Sequence, residues 1–347
     1  MTINAEAISD VLFEIKDGIG LITLNRPDAL NALSYPMTLA ITATLAAWRD
    51  DDAVRVILLR GAGPRAFCAG GDIRHIYEAM LAGESWPVDF WRDEYKLNLL
   101  IAEYSKPIVA VMHGFVMGGG IGLSAHASHR IVTESTAIAM PETNIGFLPD
   151  VGGSYLLPRA PGETGTHIAL TAGRVGAADA IFAHLADVHI AGDRLDALEA
   201  ELSGARTAQD VEARLQALAS PAKPGVLAEA QGWIDAAYSA DSVEEIVARL
   251  RARPEPEAQK ALSQIEANSP TSLKLALRAL REGRRFDALA PCLAMELNVV
   301  AHLSRSADFP EGVRAAVIDK DRKPKWSPAR LEDVTEAAVE DYFRPWP

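Results

Sequence analysis

The sequence is poor in cysteine, in positive charge and in long apolar runs, and each shortage closes off a class of protein. Cys68 and Cys292 are the only cysteines in 347 residues, too few and too far apart for a disulfide framework or a thiolate metal cluster. A single bridge between them has little to motivate it. Lys and Arg number 34 against 47 Asp and Glu, a net charge of −13, which argues against nucleic acid and anionic membrane surfaces as partners. No apolar run approaches the roughly 18 residues that cross a bilayer. The opening MTINAEAISD has neither a basic start nor an apolar core, so a cleaved signal is not expected. A soluble, cytoplasmic protein is the resulting expectation.

What is present is ordinary for a globular chain: 49% hydrophobic and 23% charged residues, which excludes wholesale disorder. The length allows two modest domains, or one with an elaborated end. Charge is uneven. Residues 251–330 hold 15 Lys and Arg against 10 Asp and Glu, a local balance of +5, so the remainder sums to −18. A basic C-terminal region on an acidic body suits a small anionic ligand carrying phosphates; a solvated helical surface explains it equally well.

Along the chain, Val11–Ile15 and Ile19–Asn25 are strand-like runs joined by the turn pair Asp17-Gly18, the pattern of a hairpin. Met37 to Arg49 has helical spacing. Val54–Leu59 is a further strand, followed by the glycine-rich RGAGPRAFCAGGD (60–72) and a helical region broken near Pro87. Pro107–Met112 is a buried strand that runs into HGFVMGGGIGLSAHA (113–127), and His129–Thr133 is another. Strands recurring with helices give the rhythm of an α/β fold, without a tight internal repeat. From about residue 200 the chain turns Ala-, Leu-, Glu- and Arg-rich and helical, with breaks at Pro221/Pro224 and Pro254-Glu255-Pro256. The expected division is therefore a core over 1–200 and a mostly helical region over 201–347. Ser269-Pro270-Thr271 reads as a helix start and Gly283 as its end.

Two glycine runs, AFCAGGD (66–72) and MGGGIG (117–122), each follow an apolar strand and precede a predicted helix. Glycine there allows close backbone approach to a ligand. The first N–H groups of a helix lack intrahelical partners and favour negative charge. Two such groups converging on one point form an oxyanion hole; the alternative is two tight turns. The segment MPETNIGFLPDVGG (140–153) adds Glu142 and Asp150, each beside a proline, with Ile145, Phe147 and Leu148 between them. Carboxylates in apolar sequence suit acid–base or nucleophilic work, because burial and a like charge raise the pKa of at least one. They could equally serve only to hold loop peptides.

Other constellations fail. There is no G-x-S-x-G elbow, and Ser124 in GLSAH lacks the second glycine. His126 and His129 have no acidic ligand at metal spacing. Gly120-x-Gly122-x-x-Ala125 lacks the acidic residue of a dinucleotide fold. Cys68 has no His placed to activate it and reads as packing. No metal is expected.

On LNRPDALNAL (24–33), AFCAGGDI (66–73), HGFVMGGGIGL (113–123) and PETNIGFLPDVGG (141–153), the chain resembles the crotonase (enoyl-CoA hydratase/isomerase) superfamily. On AMPET with PDVGG, SPTSLKLALRAL (269–280) and DFPEGVRAAVIDKDRKPKW (308–326), it resembles the 3-hydroxyisobutyryl-CoA hydrolase branch. The resemblance covers nearly the whole chain and is weakest over 190–255. It implies a spiral of β-β-α turns with a helical C-terminal region, and an oxyanion hole from the N–H groups of Gly71 and Gly119. Substrate-contacting positions map onto Glu94, Gly119, Glu142 and Asp150, with Arg26 near the ligand's nucleotide. Lys320, Arg322, Lys323 and Lys325 could meet its phosphates or form a solvated turn.

The resemblance further implies hydrolysis of a short 3-hydroxyacyl-CoA thioester, with coenzyme A as part of the substrate and no resident cofactor. Hydratases resemble this chain at Glu142 but carry a second glutamate where this chain has Gly122, and usually a glycine where it has Asp150. That swap favours hydrolysis over an enoyl-CoA hydratase or isomerase, and the retained acids argue against a catalytically silent acyl-CoA-binding subunit. The superfamily often forms homotrimers, although the extended C-terminus could cover that surface.

Overall fold

The computed structural model describes residues 9–346. They form two compact units drawn from interleaved stretches: residues through 71, 93–138 and 175–225 in the first, and 72–92, 139–174 and 226 onward in the second.

In the first unit, β1 (Val11–Lys16) and β2 (Ile19–Leu24) pair antiparallel from Val11↔Leu24 to Lys16↔Ile19. Asp17 and Gly18 join them with φ of +53° and +86°. A two-residue turn with both φ positive matches the strand twist, and Asp-Gly is among the pairs that tolerate it. Next come β3 (Val56–Gly61), β4 (Ala66–Cys68), β5 (Ile108–Met112), β6 (Phe115–Met117), β7 (His129–Val132), β8 (Ala137–Ala139), β9 (Arg174–Val175) and β10 (Val188–His189). The larger sheet runs β1-β2-β3-β5-β7-β10, parallel from β2 onward. The smaller runs β4-β6-β8-β9. Each turn of chain thus gives one strand to the large sheet and the next to the small one: β3 then β4, β5 then β6, β7 then β8. This is the expected spiral of β-β-α turns.

The unbroken apolar runs follow from burial on both faces of the large sheet. Ile19, Leu21, Val56, Leu58, Val109, Val111 and Ile131 point to one side, where Leu198, Leu202, Val211 and Leu215 from two short helices cover them. Ile22, Leu24, Ile57, Leu59 and Ala110, out of phase by one residue, are buried as well. Truncating one of these Leu or Ile side chains to Ala would cost about 2–5 kcal/mol.

In the second unit, every regular element beyond residue 226 is helical. Ser269 caps the helix Pro270–Gly283, its Oγ accepting from Ser272 N at 3.1 Å, so both expected boundaries hold. Pro221 and Pro224 lie between the helices Ala208–Leu218 and Leu227–Tyr238, and Pro256 opens Pro256–Ala267. The break expected near Pro87 is present, at residues 82–85. The helix Ile73–Leu81 ends earlier, and Pro87 is the second residue of the next helix, Trp86–Ala102, where a missing N–H costs no hydrogen bond.

The same unit buries His167 beside Trp233 and Tyr238, ring centroids 5.6 and 5.2 Å away, with Nδ1 2.9 Å from the Tyr238 hydroxyl. Burial pushes its pKa down to about 4. The unfolded chain therefore takes up a proton first as pH falls from about 6.5. Stability from this residue is complete above that pH and lost on the way down to about 4. His167→Gln should flatten the acid decline of the thermal midpoint between pH 6.5 and 4; an unchanged slope would remove His167 from the acid response.

Candidate active site

Gly71, Gly119 and Glu94 come together in the first unit. β4 ends at Cys68, and the following Gly70 and Gly71 are tied to the chain after β2: Leu33 N donates to Gly70 O at 2.8 Å, and Leu33 bridges Gly71. Gly119 opens the six-residue helix Gly119–Ser124, whose N-cap is Gly118. The second glycine run is therefore itself the helix's first turn, not only the loop before it. A Cβ on Gly119 would stand 3.4 Å from the Gly71 nitrogen and 2.5 Å from Glu94 Oε1. Glycine is required there by crowding. Neither the Gly71 nor the Gly119 N–H donates a hydrogen bond among the described residues, so both donors are free to take an acceptor. Glu94, on the helix Trp86–Ala102, is 3% exposed.

Behind them Cys68 is fully buried, its Sγ 3.6 Å from Gly70 O, and burial pushes its thiol up to about 12. A thiol so hard to ionise packs and does not attack. Ser124 Oγ bonds back to Gly120 O at 2.6 Å, a helix-internal contact.

Arg26 has structural duties: Nη1 donates to Ala32 O at 2.7 Å, Nε lies 3.4 Å from Asp10 Oδ2, and the backbone N–H donates to Asn31 Oδ1.

The second unit carries Glu142 and Asp150, each 5% exposed. Glu142 begins a short 3₁₀ turn, Glu142–Ile145, that ends at Gly146 with φ +74°. A Cβ at Gly146 would fall 2.3 Å from Asp308 O, so this segment lies directly on the helix Asp308–Val313. Phe147 stacks with Phe309 and Trp91 at centroid distances of 4.7 and 5.3 Å. Aromatic pairs of this kind contribute about 0.5–1.5 kcal/mol beyond area burial. The run between the two acids is thus a rigid apolar floor, and the apolar spacing that singled it out in the sequence reflects that packing.

One acid escaped the sequence reading. Glu296, fully buried on the helix Leu289–Leu303, accepts from Gly152 N and Ser154 N at 2.8 Å each and from Ser154 Oγ at 2.5 Å. Burial raises its pKa to about 8 against these three donors, and the Asp150 charge adds to the rise. Its signal was present: Leu289, Cys292, Leu293, Val299, Val300 and Leu303 form one apolar stripe, interrupted only by Glu296. Spacing cannot name the partner of such an interruption, which lies 142 residues away.

The basic loop after Ile318 is held by the helical turn Arg314–Ile318 that precedes it. Arg314 pairs with Glu311, Asp319 and Asp321 at 2.6–2.8 Å. Lys320, Arg322, Lys323 and Lys325 are exposed.

Fold and site together define a crotonase-type protein, and comparison with known proteins agrees. A family model described as enoyl-CoA hydratase/isomerase matches residues 19–343, and the chain belongs to that family. Within it the chain groups with the 3-hydroxyisobutyryl-CoA hydrolases. It is 42% identical to the mitochondrial 3-hydroxyisobutyryl-CoA hydrolase of Gallus gallus, over 99% of this chain and 90% of the relative. For the Homo sapiens counterpart the identity is 41%, over 99% and 91%. Among solved structures, a carnitinyl-CoA dehydratase from Mycobacterium thermoresistibile superposes with a TM-score of 0.92 at 44% identity, covering 97% of both chains. An enoyl-CoA hydratase from Rhodobacter sphaeroides gives 0.90 at 42%, covering 97% of this chain and 98% of that one.

These names overturn the cytoplasmic expectation, because the curated relatives are mitochondrial. That expectation rested on MTINAEAISD, of which residues 1–8 lie outside the described residues. The composition of ten residues bears on one kind of sorting signal and does not fix the compartment where a fold works. Among the described residues no helix is long and apolar enough to cross a membrane.

Proposed function

We propose that the chain hydrolyses 3-hydroxyisobutyryl-CoA to 3-hydroxyisobutyrate and free coenzyme A, a step of valine breakdown. The observation that carries this is near-full-length identity of 40–43% to curated hydrolases of that name. Gly122 and Asp150 support it, since they depart from the hydratase pattern at the two positions that matter. Coenzyme A enters as part of the substrate, and the chemistry invokes no resident cofactor or metal.

In this reading the N–H groups of Gly71 and Gly119 receive the thioester oxygen as it gains charge. Gly71 and Gly119 lie close together, since a Cβ on Gly119 would fall 3.4 Å from the Gly71 nitrogen, and in a two-donor hole each donor is worth about 2.7–4 kcal/mol. Glu142 supplies the attack by one of two routes. As a nucleophile its carboxylate adds to the carbonyl, the CoA thiolate leaves, and water opens the resulting anhydride. As a base it takes a proton from water, which adds directly. Either way one C–S bond breaks, one C–O bond forms from water, and the thiolate takes a proton. Asp150 holds the 3-hydroxyl or assists that transfer. Glu94 contacts the substrate beside Gly119, Arg26 lies towards the nucleotide, and the exposed Lys320–Lys325 cluster offers charge to the phosphates.

The hydratase reading has its own support in the two solved neighbours, a carnitinyl-CoA dehydratase and an enoyl-CoA hydratase. The two readings differ in measurable products. Free thiol should appear rapidly with 3-hydroxyisobutyryl-CoA, more slowly with 3-hydroxypropionyl-CoA and least with acetyl-CoA, while crotonyl-CoA should gain no water. Hydration of crotonyl-CoA without thiol release would replace hydrolysis by hydration; neither reaction would leave an acyl-CoA-binding protein.

A further inference from the structure

The turn that carries Asp150 is held in an unfavourable shape. Gly153 N donates to Asp150 O at 2.7 Å, closing a turn whose central residues, Val151 and Gly152, have φ of +50° and +85°. Positive φ at the first central position suits Asn, Asp or Gly; a β-branched residue there is an outlier that the surroundings must enforce. Val151 is 1% exposed, so water does not compensate. The enforcing group is visible. Glu296 grips the residues immediately beyond, one oxygen on Gly152 N and the other on Ser154 N and Oγ. A buried carboxylate with three donors from one short stretch fixes that stretch in place.

We propose that Glu296 is a positioning residue for the hydrolysis: by clamping Gly152 and Ser154 it sets where the Asp150 side chain stands. The inference rests on the reading of Asp150 given above. Glu296 does not meet the substrate itself. Burial raises its pKa, and the nearby Asp150 charge adds to the rise.

The test is a double-mutant cycle on the full chain with 3-hydroxyisobutyryl-CoA. Glu296→Gln keeps the volume but leaves one of the two gripped backbone N–H groups without its carboxylate oxygen. It should lower kcat by about 10- to 100-fold, the scale of a sub-ångström misplacement, with KM little changed. Ser154→Ala, which removes only the hydroxyl donor, should give a smaller loss of the same kind. In an Asp150→Asn background neither substitution should lower kcat further, because the residue they position has lost its chemistry. Wild-type kcat in E296Q, or equal losses with and without Asp150, would overturn the proposal and leave Glu296 a structural acid. Should E296Q fail to fold, S154A in the two backgrounds decides by the same criterion. Full activity in D150N alone would instead sink the reading of Asp150, and this proposal with it.

Discussion

Glu142→Gln should lower the turnover of 3-hydroxyisobutyryl-CoA by about 10³- to 10⁴-fold while the protein stays folded. The amide has the size of the carboxylate, so the 3₁₀ turn Glu142–Ile145 and the bond from Phe147 N to Glu142 O, 2.9 Å long and made by backbone atoms, should persist. What disappears is the negative charge, and both routes for Glu142 need it. An amide neither attacks a thioester carbonyl usefully nor takes a proton from water at neutral pH. A 10³-fold loss is about 4 kcal/mol of transition-state stabilisation. KM should move little, since the role proposed for Glu142 is at the reacting carbon and not along the CoA chain. The check is steady-state thiol release beside a thermal melt. Turnover within about tenfold of wild type, with an intact melt, would take Glu142 out of the chemistry. Heavy-oxygen water separates the routes: label recovered in the Glu142 side chain after many turnovers marks the anhydride.

Local chemistry made much of this molecule readable before its structure. Asp17-Gly18 and the span from Ser269-Pro270 to Gly283 were legible because a turn or a cap is decided by the residues that form it. The glycine runs were legible because glycine is kept where another chain lies too close for a side chain, as Gly119 is against Glu94 and Gly71. Pro87 marked the break between two helices correctly, because a proline ring fits the first turn of a helix and not its interior. Glu296, by contrast, stayed hidden. Its odd place in an apolar stripe was visible, but its partners, Gly152 and Ser154, follow from tertiary packing that no local spacing encodes. The interleaving of the two units was hidden likewise, because contact between distant stretches leaves no mark on either stretch alone.

Gly119→Ala should be the second most damaging change, and its damage should be confined to catalysis. Gly119 is not among the residues with positive φ, and it sits in a helix, where alanine is favoured by about 0.8–1.0 kcal/mol. Backbone strain is therefore not the obstacle. The obstacle is space. The new methyl would stand 2.5 Å from Glu94 Oε1, 3.4 Å from Gly71 N and 3.5 Å from Leu33 Cδ2. Glu94, buried and carried on a long helix, must swing aside, and the methyl then stands beside the two N–H groups proposed to receive the thioester oxygen. Losing one oxyanion donor costs about 10²- to 10³-fold in kcat, and that is the expected fall. Gly232→Ala is the matched control: it lies in the helix Leu227–Tyr238, and a Cβ there meets nothing within 4 Å. It should leave turnover unchanged and raise stability by roughly 0.5–1 kcal/mol. If G119A turned over the thioester as fast as G232A, the space beside Gly119 would not be where the oxyanion forms, and the two glycine runs would be no more than tight turns joining strand to helix.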